Sequence, residues 1–360
     1  LSSAAEADPF ADVTTSSAAA RSAKRPTFFR DNFGFRRELL SQFATSQQAP
    51  ASSRQSLGFE LLKKFSSETR TWAGLNFQGR LVRRDRFVPV LNDMEGMHRE
   101  GWYFEYHNAY VDLYNALDPA LSEEQQAKQV GRFNLRAGRF YLPFGLNLQT
   151  DTHGTVLQLS NERNFGFERD WYAGLWGSAN EHLNYDAYYM TGSGYTPRFE
   201  GQEGLAALRL SLGNRYLSEH GLEAGLSALT GERLSEDLLR VRTRRAGIDG
   251  RYRRSVPTGL LTGTAELSGG RDAVDTVFTQ LYQADYLHGS RRWGLATQFR
   301  RFWRQRMETD GSVIGEASWY FRNDVGNSNL HWIKLNVERQ VQTARPRRDT
   351  IVALQYYRYW

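Results

Sequence analysis

Arginine dominates the chemistry available to this chain. Of 46 basic side chains all but five (Lys24, Lys63, Lys64, Lys128 and Lys334) are Arg, and the formal net charge is +6. Guanidinium groups stay protonated in proteins, so several of them on one wall would attract anions. The spacing offers such rows. Arg132 and Arg136 share a parity opposite Phe133, Leu135 and Ala137. Arg240, Arg242 and Arg244 oppose Leu239, Val241 and Thr243, and a bulge expected at Arg244-Arg245 resets the parity to Ala246, Ile248 and Tyr252. Arg80 and Arg300 are further inward candidates, while Arg301 is open in register. Arginine richness also has two plainer causes. A GC-rich genome enriches Arg regardless of function, and wall arginines can pair across strands with Asp186, Asp249, Asp285, Glu266 or Glu316 and simply neutralise them.

Other chemistries find little footing. The seven His, at 98, 107, 153, 182, 220, 288 and 331, include no His-x-x-x-His pair, and there is no Gly-x-Ser-x-Gly elbow. His107 with Glu105 is the one couple reminiscent of acid-base work, and ordinary polar lining explains it as well. The absence of Cys removes disulfides, thiolate metal sites, c-type haem attachment and cysteine nucleophiles. No catalytic residue, metal site or cofactor is expected, and the chain reads as a non-enzyme. Zinc-finger spacing, a basic helix and an aromatic RNP motif are also missing, so no nucleic-acid partner is expected.

The elements that would position these arginines are strands. No run of about 18 apolar residues offers a membrane helix, and the mean hydropathy is −0.61. Residues 73–81 instead alternate Ala73, Leu75, Phe77, Gly79 and Leu81 with Gly74, Asn76, Gln78 and Arg80, and similar alternation recurs around 183–189, 222–228 and 261–268. The polar faces are rich in Gly, Ser, Thr, Asn and Gln, as a wet lumen wall requires. The chain ends on Val352, Leu354, Tyr356 and Trp360 in one parity. A terminal segment normally frays, and this one needs an apolar surface to lie against. It resembles the C-terminal signal of bacterial outer-membrane proteins.

Counting back from Trp360 predicts about sixteen strands in an all-β, antiparallel, up-and-down transmembrane barrel, with 32–44 closing against 349–360. Residues 1–27, rich in Ala, Ser and Thr, read as a mobile tail, and 28–360 as one barrel domain. Leu1-Ser2-Ser3-Ala4-Ala5 has no charged region followed by an apolar one, so the numbering is expected to start at or after a processing site. Strands are expected at 131–142, 239–253, 259–269 and 276–288, among others. Loops 85–100, 143–170 and 192–203 fall on the extracellular side, and a longer connection at 117–130 on the periplasmic side.

The most specific segment is Gly138-Arg139-Phe140-Tyr141-Leu142-Pro143-Phe144-Gly145, followed by Glu168-Arg169-Asp170-Trp171-Tyr172-Ala173-Gly174-Leu175-Trp176-Gly177. Pro143 ends a strand ladder for want of an N–H, and Gly145 permits a sharp change of direction. Over these roughly forty residues the chain resembles the phosphate-selective porin O/P family. The resemblance implies a porin of the Gram-negative outer membrane, surrounded by lipid bilayer and assembled as a homotrimer, whose long loop folds inward and narrows the pore. Scarce lysines depart from the family's phosphate funnel, so phosphate itself is not carried over. Pro143, Phe144, Gly145, Arg163, Arg169 and Asp170 form the expected constriction loop, its mixed charges suited to a transverse field. An ordinary extracellular surface loop is the alternative. The expected function is passive conduction of small, preferentially anionic solutes. A second class of function stays open: a sleeve around a periplasmic or lumenal partner such as a multihaem cytochrome, contacted by Trp72, Trp176, Tyr188 and Trp332.

Overall fold

Strands with one apolar and one polar face are stable in a bilayer only if their backbone groups are paired all the way round. In the computed structural model the chain meets that demand as a closed sixteen-stranded antiparallel transmembrane barrel in meander order. The strands are β1 (Phe33–Ser46), β2 (Ser52–Ser66), β3 (Thr71–Arg84), β4 (Gly101–Leu113), β5 (Asn134–Tyr141), β6 (Arg169–Ser178), β7 (Leu183–Met190), β8 (Leu205–Leu212), β9 (Gly221–Leu234), β10 (Arg240–Val256), β11 (Gly259–Asp272), β12 (Asp275–His288), β13 (Trp293–Arg304), β14 (Asp310–Asp324), β15 (Asn329–Gln342) and β16 (Thr350–Tyr359). The structure describes residues 32–48, 50–66, 71–85, 100–117, 131–146, 161, 165, 167–180, 182–194, 203–213, 221–234, 239–306, 309–324, 329–342 and 349–360. The expected tail 1–27, the connection 118–130 and much of the loops 85–100, 143–170 and 192–203 lie outside the described residues.

β1 closes on β16 in continuous register from Glu38↔Tyr359 to Ser46↔Ile351. Arg37 and Trp360 exchange backbone hydrogen bonds of 2.8 and 3.1 Å, so the ladder reaches the last residue. The start of β1 and the end of β16 share one rim, the terminal end. The opposite rim, which carries the connections after β3, β5 and β7, is the loop end.

On β16 the exposed Val352, Leu354 and Trp360 face outward, while Ile351, Ala353, Gln355, Tyr357 and Tyr359 are buried inside. Exposed outer aromatics gather at two levels. Phe33, Phe35, Trp72 and Trp319 lie toward the terminal end, and Phe43, Trp102, Phe104 and Tyr189 toward the loop end, as the interfacial girdles of a membrane barrel do. Trp72, expected on a lumenal contact surface, is therefore an outer, lipid-level residue. Its ring lies tilted against that of Phe65, the centroids 5.4 Å apart.

β11 and β12 stay paired to Asp272↔Asp275, beyond their expected ends at 269 and 276. They close through the two-residue turn Ala273-Val274, with Ala273 at φ 51°. Gly270 permits this extension: its φ is 157°, and a Cβ there would sit 1.9 Å from the Arg244 carbonyl oxygen. Gly270→Ala is expected to destabilise the barrel by about 1–3 kcal/mol. A lowered urea midpoint in detergent micelles would report it, and an unchanged midpoint would remove this account of the turn.

Candidate lumenal site

The site begins where β5 stops. Leu142 still donates to the Glu168 carbonyl at 2.9 Å, tying the root of the long connection to the start of β6. Pro143 then breaks the ladder, and Gly145 turns the chain at φ 62°. The turn is directed at the far wall. Gly145 N–H donates to Ser227 Oγ of β9 at 3.0 Å, and Leu146 N–H to Glu266 Oε1 of β11 at 3.1 Å. A Cβ at Gly145 would come within 2.7 Å of Glu266 Oε2. Ser227 and Glu266 both have inward parity, so the chain has left β5 for the inside of the barrel.

Packing agrees with the hydrogen bonds. Phe144 and Phe165 meet edge to face at 5.2 Å, and Asn161 Nδ2 donates to the Phe144 carbonyl at 2.8 Å. A Cβ on Gly247 of β10 would lie 3.0 Å from the Phe144 ring, so the missing side chain leaves the ring its place. Leu142, Phe144, Phe165 and Phe167 join one buried cluster with Tyr172, Trp176, Tyr188, Met190, Leu205, Ala207 and Leu229 from the inner faces of β6 to β9. Each Phe so buried contributes roughly 1.5–3 kcal/mol of transfer free energy. The sequence reading missed this inward apolar patch. Its signal was present: Trp171-Tyr172 and Tyr188-Tyr189 put aromatics on both faces of β6 and β7, as a strand buried on both sides requires.

Arg169 and Asp170 fasten the other root of the connection. Arg169 is paired with Glu168 at 3.2 Å, lies over the Tyr141 ring at 4.0 Å and donates to its hydroxyl. Asp170 is fully buried and accepts from Trp171 N–H at 2.8 Å, Thr191 Oγ1 at 2.7 Å, Gly192 N–H at 2.5 Å and Gly194 N–H at 3.0 Å. That carboxylate organises residues 191–194 and is already satisfied by donors. Arg163 lies outside the described residues.

The inner wall is laced with ion pairs. Arg80 meets Glu38 at 2.5 Å and His107 Nε2 at 2.8 Å, while His107 also contacts Glu105 at 3.1 Å. Arg136 grips Asp112 through two bonds of 2.7 and 2.8 Å. The same guanidinium lies 4.4, 4.3 and 5.1 Å from the rings of Tyr110, Phe140 and Trp176. Arg300 reaches Glu338 at 2.5 Å and Ser312 at 2.7 Å. Arg209 bridges Asp249 at 2.6 Å and Glu223 at 3.1 Å, and Lys334 pairs with Glu316 at 2.9 Å. Arg80, Arg136 and Arg300 thus face inward as expected, each with a carboxylate in contact.

One carboxylate gathers several guanidinium groups. Asp272 receives Arg233 at 3.0 Å, Arg245 at 2.8 Å and Arg304 at 2.9 Å, and Thr243 at 3.1 Å. Three guanidinium groups share one carboxylate. Arg233 also donates to the Phe165 carbonyl at 3.0 Å, and Arg245 lies 5.8 Å from the Phe165 ring. Arg233 and Arg245 therefore sit beside the inward connection.

The remaining candidates fall elsewhere. β10 pairs with β9 and β11 without any bulge at Arg244-Arg245. Arg240, Arg242 and Arg244 consequently share the outer face with Ile248 and Tyr252, while Thr243, Arg245, Asp249 and Arg251 point inward and are buried. The expected selectivity row is on the wrong side of the wall. Arg132 precedes β5, outside the strand and exposed, with its carbonyl accepting from the Tyr185 hydroxyl.

Fold and site together define the class, a transmembrane barrel of the porin fold with a connection packed inside it. No family model matches the chain, and no curated protein matches it. Solved structures do. An anion-selective porin from Comamonas acidovorans is 9% identical, covering 91% of this chain and 99% of that one at a TM-score of 0.58. OprB of Pseudomonas putida, in its high-pH structure, is 8% identical over 91% and 94% of the two chains at 0.62. A trimer form of the outer-membrane protein OmpT of Vibrio cholerae is 8% identical over 91% and 99% at 0.54. At such identities the likeness shows the fold.

Proposed function

We propose that the chain is a porin of the Gram-negative outer membrane that passes small solutes passively and favours anions. The carrying observation is the inward connection, which leaves β5 and bonds to Ser227 and Glu266 on β9 and β11. A segment fixed across the inside of a wide barrel narrows an aqueous passage without closing the wall. The anion preference is assigned to Arg233, Arg245 and Arg304, which converge on Asp272 at the inner wall, the first two against the inward connection. Arg80, Arg136 and Arg300 belong to paired sites and contribute a weaker field. Among the fold neighbours, one porin is described as anion-selective and another protein as a trimer, which supports both the preference and a homotrimer.

The sleeve reading loses its footing at the inner aromatics. Trp176 and Tyr188 are covered by the chain's own Leu142, Phe144, Phe165 and Phe167. Trp332 stacks on Tyr357 at 4.4 Å and donates to Gln355 at 3.3 Å.

Purified protein in a planar bilayer tests the proposal. It is expected to give stepwise conductance that closes in three equal levels. A membrane that stays silent after verified insertion would sink the porin reading.

A further inference from the structure

The outer face of β10 and β11 carries a feature the pore does not use. Arg244 and Arg271 stand directly opposite each other, and both are exposed. Like charges at cross-strand spacing are destabilising on their own. The row continues outward to Thr230 on β9, opposite Arg244, and to Thr276 on β12, opposite Arg271, both outward-facing. Two guanidinium groups are thus flanked by two hydroxyls. Arg240 and Arg242 lie on the same face nearer the loop end. The described carboxylates on that side are Glu232, opposite Arg242, and Glu203, whose N–H donates to Glu232 Oε2 at 3.3 Å.

The level of this row matters. Arg254, the next outward arginine on β10, is ten residues farther along, with Ala246, Ile248, Gly250 and Tyr252 between them on the outer face. Ten residues span roughly 33 Å of strand, which a barrel tilt of about 40° reduces to about 25 Å, the height of the lipid-facing band. Arg244 and Arg271 therefore sit at the loop-end edge of the hydrocarbon. Directly below them lie Ala228, Ala246, Gly269 and Phe278, a shallow apolar strip.

We propose that Arg244 and Arg271, assisted by Arg242, Thr230 and Thr276, bind a phosphate of the lipid A headgroup of lipopolysaccharide, with an acyl chain along the strip beneath. Guanidinium groups match phosphate geometry bidentately, and basic residues at a headgroup level recruit anionic lipid. The bound phosphate would relieve the repulsion between the two arginines. This inference rests on the outer-membrane placement above, with the loop end facing outward.

Native mass spectrometry of the full-length protein in detergent tests it, using lipid A with both phosphates, the same lipid with its phosphates removed, and inorganic phosphate as competitor. The wild type is expected to retain bisphosphorylated lipid A at least about tenfold better than the dephosphorylated form, since each of the two arginines near a charged surface is worth about fivefold. Arg244→Gln with Arg271→Gln should lose that difference, and Arg244→Lys with Arg271→Lys should keep most of it. If the double Gln protein does not insert, Arg244→Gln alone carries the same expectation at a smaller size. Equal retention by the wild type and the Gln variant would overturn the site. Displacement by millimolar inorganic phosphate would identify a free-anion site instead, and a changed oligomeric state in the Gln variant would identify a contact between copies. Cell fractionation separates the two readings: protein absent from the outer membrane defeats the placement, whereas correctly placed protein indifferent to the lipid phosphates defeats only this inference.

Discussion

Replacing Phe144 and Phe165 together by Ala is expected to raise single-channel conductance severalfold while leaving the barrel assembled. Removing a buried Phe costs about 3–5 kcal/mol, so the pair removes roughly twice that from the hold on the inward connection. Among the described residues the hydrogen bonds left to it include Gly145 to Ser227, Leu146 to Glu266 and Arg233 to the Phe165 carbonyl, each worth about 1 kcal/mol net, beside the packing of Leu142 and Phe167 at its two roots. The apolar anchoring is the larger quantity, and its loss releases the segment. The wall does not depend on it, because every strand keeps its two neighbours. Conductance equal to wild type in a variant with normal heat-modifiable gel mobility would show that this segment does not limit the passage.

The second large effect is expected at Asp272. Asp272→Asn removes the carboxylate that three guanidinium groups share, and removing one partner of a buried ion pair costs about 3–5 kcal/mol. Arg304 moderates the loss, since its side chain is 24% exposed and water can screen it. The variant should unfold at a lower temperature in detergent, and its reversal potential should move further toward anions. A stable variant with unchanged selectivity would mean that the cluster neither holds the wall nor faces the permeating ions.

Much of the architecture was legible because a membrane barrel repeats one rule. Alternation placed Leu75, Phe77 and Leu81 on the opposite face from Asn76, Gln78 and Arg80, and the structure keeps that division. The parity of the aromatic C-terminal strand identified its partner, and Glu38↔Tyr359 begins that pairing. Pro143 and Gly145 marked where the chain leaves the wall.

The site was harder to read for physical reasons. Polarity identifies the inner face only within the hydrocarbon band, and near the rim an outward arginine meets headgroups and water at little cost. Arg240, Arg242 and Arg244 lie in that zone. Inferring a bulge from their charge inverted them, whereas extending the parity of Ile248 and Tyr252 would have placed them correctly. Pairings skip a strand as well: Arg233 on β9 and Arg304 on β13 both reach Asp272 on β11, a convergence that neighbour-to-neighbour matching does not reveal. Glu266, expected as an arginine partner, accepts the Leu146 N–H and so holds the inward connection, a role that strand alternation does not reveal.

The most direct test is reversal potential in a potassium chloride gradient for three proteins side by side. Wild type is expected to reverse on the anion side. Arg245→Ser with Arg304→Ser, which leaves Arg233 to balance Asp272, should move the potential toward cations, while Arg240→Ser with Arg242→Ser and Arg244→Ser on the outer face should leave it unchanged. A shift in the outer variant with none in the inner one, or a cation-side wild type, would contradict the account.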